Sequence, residues 1–65
     1  MEETQTSRDF KVIMAAGYLI ERAERNDGRV TLRATRDGET IFSVKDAPDD
    51  ETAAAELRAK VEAKL

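Results

Sequence analysis

Sixty-five residues, 38% charged and 40% hydrophobic with a formal net charge of −3, make one domain at the size where a single core is barely sufficient. Cys and His are both absent, which excludes a disulfide framework, thiolate chemistry, the usual general base and the commonest metal ligand. The negative balance argues against a general nucleic-acid or anionic-membrane binder, since either partner would repel it.

Met1 to Thr6 is polar and reads as a tail (residues 1–6). The next stretch reads as a long first helix over residues 7–26. Ser7 or Asp9 is placed to cap it by accepting a backbone N–H from the first turn. Between Phe10 and Ile20 the chain holds ten apolar or small residues and one charge, Lys11. At helical spacing, Val12, Ala16, Leu19 and Ala23 share one side, with Ile13 and Ile20 on its shoulder. Phe10, Met14, Gly17 and Tyr18 fall on the other. Glu21, Glu24 and Arg25 project with Phe10 and Met14, so the Val12 side is the expected core. Asn26-Asp27-Gly28 supplies the stop, with Gly28 or Asn26 suited to a left-handed C-cap.

A hairpin is expected over residues 29–36 and 39–45. Val30, Leu32 and Ala34 alternate with polar residues, and Phe42 and Val44 do so on the return. A two-residue Asp37-Gly38 loop would set Leu32 opposite Ser43 and bury the wrong face. A three-residue Arg36-Asp37-Gly38 loop instead pairs Leu32 with Phe42 and Val30 with Val44, with Gly38 left-handed. The outer face of the hairpin (Arg29, Arg33 and Lys45 around Thr31, Thr35 and Ser43) has no aromatic on which a base could stack, so it reads as a solvated face.

The last helix is expected over residues 48–65. Pro48 suits a first turn, Asp49, Asp50 and Glu51 complement the positive end of the helix dipole, and Lys60 and Lys64 complement the negative end. The acidic run lacks the ligand spacing of a calcium loop. Ala54, Leu57 and Val61 form one narrow stripe. The expected fold is therefore α+β in the order α-β-β-α, a two-stranded antiparallel hairpin covered on one face by two helices. The longest apolar run is too short to span a bilayer and no basic segment precedes it, which predicts a soluble chain.

No nucleophilic set, phosphate loop or metal spacing is present, so no catalytic, cofactor or metal residue is expected and the chain reads as a non-enzyme. The surplus stripe of the first helix is the candidate site. Phe10, Met14, Gly17 and Tyr18 would meet a protein partner, with Lys11, Glu21, Arg22 and Arg25 around them. Gly17, costly inside a helix by roughly 1 kcal/mol against Ala, would let a partner approach closely. The same stripe reads alternatively as ordinary core wrapped by the rest of the domain.

These residues carry a resemblance. The Asp-Gly turns at Asp27-Gly28 and Asp37-Gly38, the strand Arg29–Thr35 and the dipole-ordered final helix together resemble computationally designed mini-protein binders. That resemblance implies a monomer that occupies a surface on a folded target, such as a receptor or viral surface protein, with no chemistry of its own. The alternative is a small natural bacterial or phage structural protein that homodimerises through the same helix face.

Overall fold

Glycine decides the architecture at residue 17. In a computed structural model, which describes residues 3–64, the first helix α1 spans only Gln5–Ala15. Thr4 caps it, its hydroxyl accepting the Ser7 N–H at 3.0 Å. The expected helix over 7–26 therefore starts earlier and stops eleven residues sooner, and neither Ser7 nor Asp9 is the cap. At the far end Gly17 takes φ +98°, a left-handed conformation open to glycine, and its N–H closes on the Met14 carbonyl at 2.9 Å. The chain leaves the helix there.

Past the bend the chain runs as a strand. β1 spans Leu19–Glu24, β2 Val30–Arg36 and β3 Glu39–Ala47, and the second helix α2 spans Asp50–Glu62. The strands form an antiparallel sheet in the order β1-β2-β3. The element order is α-β-β-β-α, so the expected two-stranded hairpin is in fact a three-stranded meander, with both helices on one face. The expected end of the last helix at Leu65 lies outside the described residues, as do the first two residues of the expected tail.

Asn26-Asp27-Gly28, expected to stop a helix, is the loop of the first hairpin. Gly28 N–H bonds to Arg25 O at 2.9 Å, Arg25 N–H bonds to Arg29 O at 2.8 Å, and Gly28 has φ +87°. This is the three-residue loop expected one hairpin later. The second hairpin instead turns on two residues. Asp37 (φ +54°) and Gly38 (φ +81°) are both left-handed, and Arg36 pairs with Glu39, the mark of a type I′ turn.

The parity objection to that turn is met by a bulge. Thr35 pairs with Thr40, but Ala34 pairs with Phe42, so Ile41 is inserted in β3 and the inward set is restored. Leu32 faces Val44 rather than Phe42 or Ser43. A second irregularity sets Val30 opposite Ala47, with Asp46 at φ +58°.

The core is Ile13, Tyr18, Val30, Leu32, Ala34, Val44, Ala47, Ala53, Ala54, Leu57 and Val61, with Phe10, Ala16, Ile20 and Phe42 packed against it. α2 begins at Asp49, whose carboxylate accepts the Thr52 N–H at 2.7 Å, with Asp50 and Glu51 in the first turn and Lys60 in the last. No helix of the described residues is long and apolar enough to cross a membrane.

Candidate docking surface

Cross-strand partners share a face of the sheet. Ile20, Arg22 and Glu24 therefore point with Ala34, Leu32 and Val30 toward the helices, while Leu19, Glu21 and Ala23 point with Thr35, Arg33 and Thr31 to the outer side. The eight residues expected on one helix face are accordingly split among α1, its terminal turn, β1 and a loop.

Neither Gly17 nor Tyr18 lies on a helix face. Gly17 is the bend, not a notch on a helix, and a Cβ there would sit 3.2 Å from Arg36 Nη2. Tyr18 is 8% exposed and belongs to the core. Its ring meets Phe42 edge-to-face at 5.6 Å between centroids, and the Arg36 guanidinium lies 4.1 Å over it. Arg36 also donates to Ala16 O at 2.7 Å, placing a cation at the negative end of α1. Tyr18 thus cannot serve as an exposed anchor, because its position one residue past the bend starts the inward alternation of β1.

Three more of the expected residues are not helical. Glu21 and Arg22 lie on opposite faces of β1, and Arg25 lies at the loop after it. Arg22 donates to Asp50 at 2.7 Å and to Glu24 at 2.6 Å, and these bonds, Asp50 first, raise its pKa. Arg25 donates to Asp46 at 2.6 Å, which raises its pKa likewise. Both are clips within the chain rather than rim charges awaiting a partner.

Phe10, Lys11 and Met14 do share α1. Phe10 is half-buried against the core, Lys11 is exposed and bonds Glu3, whose carboxyl it holds below the usual range, and Met14 is 50% exposed. The residue that sequence reasoning missed is Leu19. Placed in the expected core, it is 70% exposed on the outer side of β1, the most exposed large apolar residue described. The signal for it was Gly17 within an apolar run, after which a period of two sends neighbours to opposite faces.

α1 is tied to α2 by charge. Asp9 is 2% exposed, and its Oδ1 accepts from Gln5 Nε2 at 3.0 Å and from Arg58 Nη1 at 2.9 Å. The bond to Asp9 raises the Arg58 pKa. A shallow depression of about 420 Å³ at the β1–β2 loop is lined by Glu24, Arg25, Asn26 and Asp27, all exposed. Among the described residues no cluster of three or more Asp or Glu is placed to hold a metal ion. What the arrangement offers is surface: Met14 and Lys11 on α1, Leu19 and Glu21 on β1. Comparison of the chain with family models, with curated proteins and with solved structures finds no match.

Proposed function

We propose that this chain is a protein-binding module with no chemistry of its own. It docks on a folded partner through its N-terminal half, α1 and β1. The observation that supports this most is the location of two of the three large exposed apolar side chains described, the third being Ile41 on β3. Met14 and Leu19 stand in solvent on either side of the Gly17 bend, and exposed apolar contact area is the usual centre of a protein interface. Glu21, exposed beside Leu19 on the outer side of β1, flanks them as a rim charge, and such charges act mainly on association rate and selectivity.

The resemblance to designed mini-protein binders supports the same reading from the scaffold side. The type I′ Asp37-Gly38 turn, the Asp49 cap and the acid-to-base order of α2 are the devices such scaffolds use.

The test is a selection of partners from a displayed library of folded domains, with a paired counter-screen. Partners recovered with the wild-type chain should fail to bind a Met14→Glu, Leu19→Glu variant of unchanged melting temperature. They should still bind Glu56→Arg, which alters the exposed side of α2. Partners indifferent to the first variant and lost with the second would place the interface on α2. A wild-type dimer in sedimentation that Met14→Glu dissolves would assign the surface to a second copy.

A further inference from the structure

The sheet has one guarded edge and one open edge. On β3 the pairing is irregular at Ile41 and beside Asp46, and Lys60 Nζ donates to Ser43 O at 2.7 Å. Bulges and lysines are what keep a sheet edge from accepting another strand. β1 has neither, and its pairing with β2 runs from Leu19↔Thr35 to Glu24↔Val30 without a shift.

The ladder fixes which backbone groups of β1 point away. Arg25 N–H bonds to Arg29 O, so bonded and non-bonded pairs alternate from there along the hairpin. Ala23 and Glu21 bond β2, and the N–H and C=O groups of Arg22 and Glu24 face outward. The Arg22 and Glu24 side chains are 45% and 53% exposed, so the helices leave this end of β1 partly uncovered.

The sequence along that edge is complementary to itself. Glu21-Arg22-Ala23-Glu24-Arg25 reverses its charges on reflection through Ala23. A second copy, antiparallel and related by a two-fold axis normal to the sheet at Ala23, sets its Glu24 opposite Arg22 and its Arg25 opposite Glu21. The parity agrees with the ladder. Arg22 and Glu24 carry the outward groups, so they become the hydrogen-bonded pairs of the new ladder, each exchanging both main-chain bonds. The two Ala23 residues meet at the axis as a non-bonded pair, where Cα atoms approach to about 4.5 Å, and a single methyl group on each leaves that approach open. An axis on Glu21, Arg22 or Glu24 would instead set a charge against itself, which is destabilising.

The bonds within the chain leave groups for these pairs. Arg22 reaches Asp50 and Glu24 through Nε and Nη2, and Glu24 accepts on Oε1. Arg22 Nη1 and Glu24 Oε2 make no hydrogen bond among the described residues, and a second copy closes both Arg22 and both Glu24 side chains into one ring of alternating charge. On the outer face Glu21 stands across from Arg33, and Arg25 of the other copy would flank it from the opposite side.

We infer that β1 is a self-association edge, at which two copies of this chain pair Arg22 with Glu24 about a two-fold axis at Ala23. The two three-stranded sheets then form one continuous sheet. This goes beyond the docking surface, because Met14 on α1 lies outside the paired segment.

So short an interface lies at the small end of the range, and sedimentation equilibrium from about 10 μM to about 1 mM is the test. The wild-type chain should pass from monomer to dimer across that range. The Arg22 and Glu24 amides should exchange slowly only in the concentrated sample, and those of Glu21 and Ala23 in both. Glu24→Arg and Arg22→Glu should each raise the dissociation constant about tenfold or more, since each sets like charges opposite. An equimolar mixture of the two should dimerise as the wild type does, because each chain carries the charges that the other has lost. Should Arg22→Glu fail to fold without its bond to Asp50, Glu21→Arg and Arg25→Glu make the equivalent exchange on the outer face. Met14→Glu should leave the dimer unchanged. A monomer at the highest concentration, a dimer indifferent to both charge changes, or a mixture that does not recover would overturn the pairing. A dimer dissolved by Met14→Glu would move self-association to α1 and overturn it as well. A chain that stays monomeric, beside selected domains lost with the Met14→Glu, Leu19→Glu variant, removes self-pairing and leaves the docking surface standing.

Discussion

β2 and α2 bury much of their length, whereas α1 and β1 leave most of theirs in solvent. β2 buries Val30, Leu32, Ala34 and Thr35, and α2 buries Ala53, Ala54, Leu57 and Val61. β1 buries none of its six residues, and α1 buries only Asp9 and Ile13. The helix termini differ in the same sense. α2 has acids in its first turn and a base in its last, whereas α1 has neither and takes its C-terminal cation, Arg36, from β2. The N-terminal half is held by apolar contacts from Ile13 and Tyr18, with Phe10, Ala16 and Ile20 half-buried beside them, and by polar clips: Asp9–Arg58, Arg36–Ala16 and Arg22–Asp50. A half fastened in this way keeps its remaining side chains available to a partner.

The sharpest test of that division uses two adjacent residues, Tyr18 and Leu19. Tyr18→Ala should cost about 3–5 kcal/mol, as removal of a buried aromatic does. Leu19→Ala should cost under about 0.5 kcal/mol, because Leu19 stands in solvent. Thermal melts of the two variants check this, and equal losses would break the comparison. Leu57→Ala, in the buried half, should cost about 2–5 kcal/mol.

The clips come next. Asp9→Ala should destabilise by about 1–3 kcal/mol, since it removes the acceptor of two hydrogen bonds in a buried position. Urea unfolding measures it. An unchanged midpoint would mean that α1 is held by apolar contact alone. Gly17→Ala should cost roughly 1–2 kcal/mol, the penalty of a left-handed conformation for a residue with a Cβ. Were residues 7–26 one helix, the same change would stabilise the chain.

The smallest expected effect is in pH. The Asp49 carboxyl is held below its ordinary value by the Thr52 N–H. A depressed folded-state pKa contributes stability that is complete above the unfolded value of about 4 and is lost as pH falls through the folded value. Denaturant midpoints should therefore decline on acidification below about pH 4. Asp49→Ser keeps an N-cap without a titrating group and should flatten that decline. An unaltered acid limb would assign it to other carboxylates.

Much of the buried half was legible in the sequence. The alternation of Val30, Leu32 and Ala34 fixed β2, the charge order from Asp49 to Lys60 marked α2, and Gly38 was recognisable as left-handed. The register was not, because a bulge at Ile41 leaves no residue signature: a two-residue turn with a bulge and a three-residue turn both put apolar residues inward. The exposed half was misread for a reason of length. From Val12 to Ile20 every residue is apolar or small, and so short a run fits a period of 3.6 and a period of 2 equally well. Gly17 and the Asn26-Asp27-Gly28 loop were the signals that resolve it, one as a helix end and the other as a hairpin. With that period went the candidate site: Lys11 and Met14 remain on it, Tyr18 leaves it and Leu19 joins it.

Amide hydrogen exchange along residues 19–24 of the free chain tests the central claim most directly, namely that β1 is a strand paired on one side only. Alternation is expected, with Glu21 and Ala23 protected by their bonds to β2 and Ile20, Arg22 and Glu24 exchanging fast. Uniform protection from Leu19 to Glu24 would contradict it, since that pattern belongs to a helix or to an edge already covered.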